Sequence, residues 1–161
     1  MNKRTWLLAG AAVALAALAG CATAPSPVSV TDTVARTPQL STLAKLINDA
    51  GLAETLRGTG PYTLFAPTDD AFKAVPAATL EALGKDKEKL KAVLTYHVIA
   101  GQIMAADVKT GPAKTVQGAN VSLARAGTFV TIEDAVVTQP DVPATNGVIH
   151  VIDRVLMPPV K

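Results

Sequence analysis

Cysteine is nearly absent from this 161-residue chain: Cys21 stands alone, so no intrachain disulfide can hold the fold. Histidine is almost as sparse, with only His97 and His150. No Asp, Glu, Cys or second His lies at ligand spacing from His150, so sequence neighbours supply no metal centre. Gly-x-Ser-x-Gly, His-Glu-x-x-His and a glycine-rich phosphate loop are all missing, which removes three common routes to catalysis. No cofactor is expected, and only the two imidazoles could serve as bases near neutral pH.

An excess of one charge is also lacking. Lys3 and Arg4 precede Trp6–Ala19, an Ala/Leu-rich run without a charge. A basic start followed by an apolar run is the pattern of a secretory signal peptide. The run is shorter than the roughly 20 residues of a spanning helix. Without Lys3 and Arg4, thirteen basic residues face thirteen acidic ones. An electroneutral domain has no basic surplus to hold a polyanion, which argues against nucleic acid as a partner.

Leu18-Ala19-Gly20-Cys21 closes the apolar run and resembles the bacterial lipobox. The resemblance implies residues 1–20 as a removed signal peptide and lipid on the Cys21 sulfur. An ordinary signal peptide would leave one reactive thiol on an exported chain, whereas lipidation consumes it. Each buried methylene contributes about 0.8 kcal/mol, so two or three acyl chains anchor firmly. Ala22, in place of an inner-membrane-retaining Asp, implies the outer membrane where the cell has one. Residues 22–28 read as a Pro-rich, extended tether.

The rest is one domain, 29–159, with helices crowded into its first half and strands into its second. Ser29 or Thr31 starts a short helix that Pro38 must end. Ser41 is expected to cap a second, with Leu43, Leu46, Ile47 and Ala50 on one face. Tyr62–Ala66 reads as a strand, and Thr68 or Asp69 as the cap of the helix holding Phe72. The Asp69-Asp70 pair is read as capping chemistry, since adjacent helical positions do not face each other. Pro76 opens another helix, and Asp86 caps one in which Leu90, Val93, Leu94 and His97 share a face. The lysines at 85, 87, 89 and 91 alternate around that helix and form a solvated face. Strands are expected at Lys114–Val116, Val121–Leu123, Phe129–Ile132 and Ala135–Val137, and an irregular loop at Gln139–Pro143. This order argues α+β with a mostly antiparallel sheet.

Asn146–Pro158 is the most informative stretch. An Asn-Gly turn leads into a strand whose faces, Val148, His150, Ile152 and Ile149, Val151, are both apolar, so it is expected in the interior. His150 within it reads as a neutral core imidazole hydrogen-bonded at both nitrogens. Tyr96 and His97 end an amphipathic helix, where structural use is again the first reading.

Three segments together resemble the fasciclin-like domain family: Tyr62–Phe72, the pair Tyr96-His97, and Asn146–Pro158. Phe65, Pro67, Thr68, Phe72, Asn146, Gly147, His150 and Asp153 carry the signatures. The resemblance implies a wedge-shaped β-sandwich with a helical layer, extracellular adhesion or binding, and no catalysis. In animal members, segments matching Tyr96-His97 and Gln139–Pro143 are implicated in integrin binding, so the candidate partner-binding residues are Tyr96, His97, Pro140, Asp141 and Val142. A lipobox indicates a bacterium, so integrin is not carried over as partner. Asp141, between two near prolines, is first a turn former; as an exposed residue on a stiff loop it is also the leading contact candidate.

The function expected is a lipid-anchored, non-catalytic binding or adhesion module of the bacterial cell envelope, holding the membrane through Cys21 and binding an envelope protein or polysaccharide. A periplasmic scaffold for another envelope protein is the alternative. A hydrolase using His97 or His150 with a carboxylate such as Asp153 needs an accessible imidazole.

Overall fold

The computed structural model describes residues 28–159; the expected signal peptide, Cys21 and the expected tether as far as Pro27 lie outside them. The helices are α1 (Val30–Arg36), α2 (Ser41–Asp49), α3 (Ala53–Arg57), α4 (Asp69–Lys73), α5 (Ala77–Lys85) and α6 (Lys87–Tyr96), with a 3-10 turn at Pro38–Leu40. The strands are β1 (Tyr62–Pro67), β2 (Val98–Ala100), β3 (Gly111–Lys114), β4 (Asn120–Ala126), β5 (Phe129–Ile132), β6 (Ala135–Ala144) and β7 (Gly147–Ile152).

Capping sets most of the helix starts. Ser29, Thr68 and Asp86 each accept a backbone N–H of the turn they open, satisfying donors that the helix leaves free. The expected cap at Ser41 is not what forms. Ser41 is itself the first helical residue, and the side chain at the cap position, Leu40, cannot accept. Asp69 supplies the acceptor from α4: its Oδ1 takes the Thr42 N–H at 2.8 Å and its Oδ2 the Ser41 hydroxyl at 2.7 Å. Burial pushes the Asp69 carboxyl up, yet those hydrogen bonds outweigh it and hold the group below the usual carboxylate range. Asp69 therefore ties α4 to α2, while Thr68 caps α4.

β1 and β7 run parallel, from Tyr62 beside Gly147 to Pro67 beside Ile152. All the other strand pairs are antiparallel, in the order β2-β1-β7-β6-β5-β4-β3. A bridge from Ile99 to Thr115 and a 2.8 Å bond from the Val116 N–H to the Val98 carbonyl bring the two ends together. The two layers of the wedge are thus halves of one bent sheet. β3 stops at Lys114 because Thr115 and Val116 turn to join β2.

All six residues of β7 are buried, as its two apolar faces predict. Leu64, Ala66, Ile149 and Val151 pack beneath the helices, with Leu43, Ile47, Leu90 and Leu94 above them. Phe65 and Ile152 face the other way, into a second cluster with Tyr96, Val121, Leu123, Val130 and Ile132. Both clusters lie within 28–159, so this segment carries its own core and folds as a unit.

The expected loop at Gln139–Pro143 is instead the second half of β6. It stays paired with β7 through two register shifts, between Val137 and Gln139 and between Gln139 and Val142. Each shift inserts one extra residue, a β-bulge. Asp141 sits in the second with φ 54°, a conformation that Asp tolerates better than most residues. Within β6, only Ala135 and Val136 pair with β5, and Pro140 and Pro143 each remove a backbone donor from the remainder of β6.

Candidate functional site

Both histidines are inside. His150 has no exposed surface and His97 is 1% exposed. The His150 Nε2–H donates to the Ile103 carbonyl at 2.8 Å, while Nδ1 accepts the Asp141 N–H at 3.2 Å. The His97 Nδ1–H donates to the Val93 carbonyl at 2.8 Å, and Nε2 accepts the Leu156 N–H at 2.9 Å. Each ring is thus a neutral tautomer with one donor and one acceptor, both used on backbone. Burial lowers the pKa of His97 to about 4, the Val93 carbonyl offsetting only part of it. Burial lowers that of His150 too. A buried imidazole with both nitrogens engaged has no lone pair for a substrate, so the hydrolase alternative loses its base.

His150 is one of several side chains that fasten the segment after β2. Thr63, fully buried, donates to the Gly101 carbonyl at 2.7 Å and accepts the Ile103 N–H at 2.9 Å. The Asp141 carboxylate accepts the Ala105 N–H at 2.7 Å. The Phe65 ring lies against the His150 imidazole, centroids 5.4 Å apart. Asp141, the leading contact candidate from sequence, is half-buried and already bonded through both backbone and side chain.

The other signature residues are joints as well. The Asn146 amide donates to the carbonyls of Leu56 and Gly58 and accepts the Val30 N–H at 2.9 Å, tying α1 and α3 to the head of β7. Gly147 passes so close to the Tyr62 carbonyl that a Cβ would collide with it. The Asp153 carboxylate accepts the Val136 N–H at 2.8 Å, and Phe72 is buried against the helices.

Among the described residues, an accessible groove of about 690 Å³ is within the size range of small-ligand sites. Leu83 of α5 and Lys89, Ala92 and Val93 of α6 form one side. The turn Gln117–Asn120 and the tail residues Pro158 and Pro159 complete it. Tyr96 and His97 lie behind this groove and hold its walls. The Tyr96 hydroxyl donates to the Asn120 carbonyl at 3.4 Å, and the Gln117 N–H donates to the Thr95 carbonyl at 3.3 Å. His97, through Leu156, fixes the tail two residues before Pro158. The pair proposed from sequence as partner-binding is therefore buried, Tyr96 at 3% exposure, and acts on this surface by positioning it. It draws on three stretches far apart in sequence, the α5–α6 pair, the 117–120 turn and the tail, which is why sequence reading missed the groove; Gly118 and Pro158-Pro159 looked only like a turn and a stop. Among the described residues, no group of three or more His, Cys, Asp or Glu is placed to hold a metal.

The family model of the fasciclin domain matches residues 38–158. The chain belongs to the fasciclin-domain family. It is 42% identical over 136 residues to Protein sll1483 of Synechocystis sp., covering 83% of this chain and 76% of that one. It is 41% identical over 129 residues to the cell surface glycolipoprotein MPB83 of Mycobacterium bovis, covering 77% of this chain and 58% of that protein. A FAS1 domain pair from the insect cell adhesion molecule Fasciclin I superposes with TM-score 0.66 at 20% identity, over 81% of this chain and 51% of that one. That likeness is of fold. The fasciclin fold here is α+β, with a nearly closed, mostly antiparallel sheet, and neither the family nor these relatives carries an enzyme's name.

Proposed function

We propose that this protein is a lipid-anchored, non-catalytic recognition module of the bacterial cell envelope that meets its partner, an envelope protein or polysaccharide, through the groove beside α6. The observation that carries the reading is the use of all four imidazole nitrogens on backbone groups. It leaves neither imidazole free to act as a base, and the same bonds brace a binding surface. Leu18–Cys21 supports the anchor, and so does a relative named as a cell surface glycolipoprotein. The tether of residues 22–28 keeps the domain within about 20 Å of the bilayer, at the outer membrane where there is one.

The test is a pull-down with residues 28–161 against envelope polymers and whole cells, beside an Ala92→Glu variant. Ala92 is half-buried in the groove wall, so a carboxylate there blocks the surface with little cost to the core. Retention of wild type and at least tenfold loss for the variant, at unchanged melting temperature, supports the reading. Equal retention of both overturns the groove as contact surface. Specific co-purification of one envelope protein, without cell aggregation, identifies the scaffold role instead of adhesion.

A further inference from the structure

We propose that the groove beside α6 binds an unbranched alkyl chain ending in one carboxylate, its chain against the wall of Leu83, Ala92, Val93 and Pro158 and its head at Lys89. This rests on the groove being a recognition surface, and it names a small ligand that the groove takes rather than the protein or polysaccharide itself.

The chemistry of the lining carries the assignment. Leu83 and Val93 are core residues, 8% and 6% exposed, whose outward edges floor the groove. Ala92 and Ala119 are small enough to leave a channel between helix and turn, and the two prolines offer rings without backbone donors. Among the described residues that line the groove, Lys89 alone is charged. Its ammonium contacts Asp86 at 3.2 Å with its side chain 69% exposed, so it can swing to an anion at low cost. Among the described residues no acid lines the groove, and the Glu133 carboxylate is held by the Ser122 N–H at 2.7 Å. One cation in a groove whose described lining is otherwise uncharged matches one anion on an apolar chain, and opposes a cationic amphiphile.

The experiment uses residues 28–161, which contain both core clusters. Dodecanoate is titrated below its micellar concentration, with displacement of 1-anilinonaphthalene-8-sulfonate as readout. Saturable displacement is expected. Decanoate should bind about fourfold more weakly, since two methylenes half-buried in an open groove contribute about half their full transfer energy. Lys89→Gln should weaken dodecanoate about threefold and leave dodecanol unchanged. Ala92→Glu should abolish both at an unchanged melting temperature. The proposal is overturned if dodecanoate fails to displace the probe, if dodecyltrimethylammonium binds as well as dodecanoate, or if Ala92→Glu binds like wild type. A dimer in sedimentation that Ala92→Glu dissociates would give the groove to a second copy, and also overturns it. Cell retention that needs an open groove, in a protein indifferent to dodecanoate, defeats this inference and leaves the recognition reading standing.

Discussion

Acid should loosen this domain well before its carboxylates titrate, and His97 is the reason. In the folded protein its pKa is lowered to about 4, against about 6.5 when the chain is unfolded. A His whose folded pKa is depressed gives its full stability above 6.5 and loses it as pH falls toward 4, because the unfolded state takes the proton first. Integrating that difference, the domain should lose about 2 kcal/mol between pH 7 and pH 5, and about 3 kcal/mol by pH 4. His150 shifts in the same direction and adds to the loss. The lowered carboxyls of Asp32, Asp69 and Asp86 act later, their stability lost as pH falls below about 4. Chemistry supports the direction independently: an imidazolium has no acceptor for the Leu156 N–H, so protonation breaks a buried hydrogen bond. Urea denaturation of residues 28–161 followed by circular dichroism measures the effect, since the single tryptophan, Trp6, is absent from that segment. Wild type should show about one proton taken up per unfolding event near pH 5. His97→Gln should start less stable and show a shallower pH dependence. An NMR titration placing the His97 pKa at 6.5 or above, or stability flat from pH 7 to 5, refutes the reasoning.

Three further outcomes follow from named contacts. Cys21→Ser should move the protein from the detergent phase to the aqueous phase on partitioning; unchanged partitioning disproves the anchor. His150→Ala should cost about 2 kcal/mol or more, through a cavity beside Phe65 and unpaired groups at Ile103 and Asp141. Hydrogen exchange should show the segment after β2 losing protection first, and wild-type melting would show that the ring is not a joint. Gly147→Ala should cost about 3 kcal/mol by forcing β7 off the Tyr62 carbonyl, read as a lower urea midpoint, whereas Gly84→Ala, in open space on α5, should be neutral or stabilising.

What could be read ahead of the structure was whatever local chemistry decides. The two-faced apolar run Val148–Ile152 had to be interior, and the caps at Ser29, Thr68 and Asp86 are set within a few residues. A polar ring inside such a run had to find partners, which is the fate of His150. Long-range capping was not legible: nothing beside Ser41 announces that Asp69 will supply its acceptor. Asn146-Gly147 suggested a turn, yet Gly147 is needed for closeness to β1 and the Asn146 amide for bonds to residues about ninety positions away. Pro140 falls between Gln139 and Val142, where the register shifts, whereas Pro143 stays paired with Val148. Neither proline could reveal that β6 would continue past them rather than end.

The same limit explains why the family's Tyr-His pair invites a contact reading. A phenol and an imidazole beside exposed lysines look like a recognition patch, and in a one-dimensional text nothing separates touching a partner from holding what touches it. Here the helix ends by turning both rings inward, Tyr96 toward the carbonyl of one groove wall and His97 toward the amide that fixes the other. Substitutions at the pair would therefore alter binding by letting the walls drift, with loss of stability alongside. Substitutions at Ala92 or Lys89 would alter binding alone. Dependence of binding on Tyr96 or His97 is thus no evidence of contact unless stability is unchanged, and residues whose loss spares the fold are the ones that define the surface.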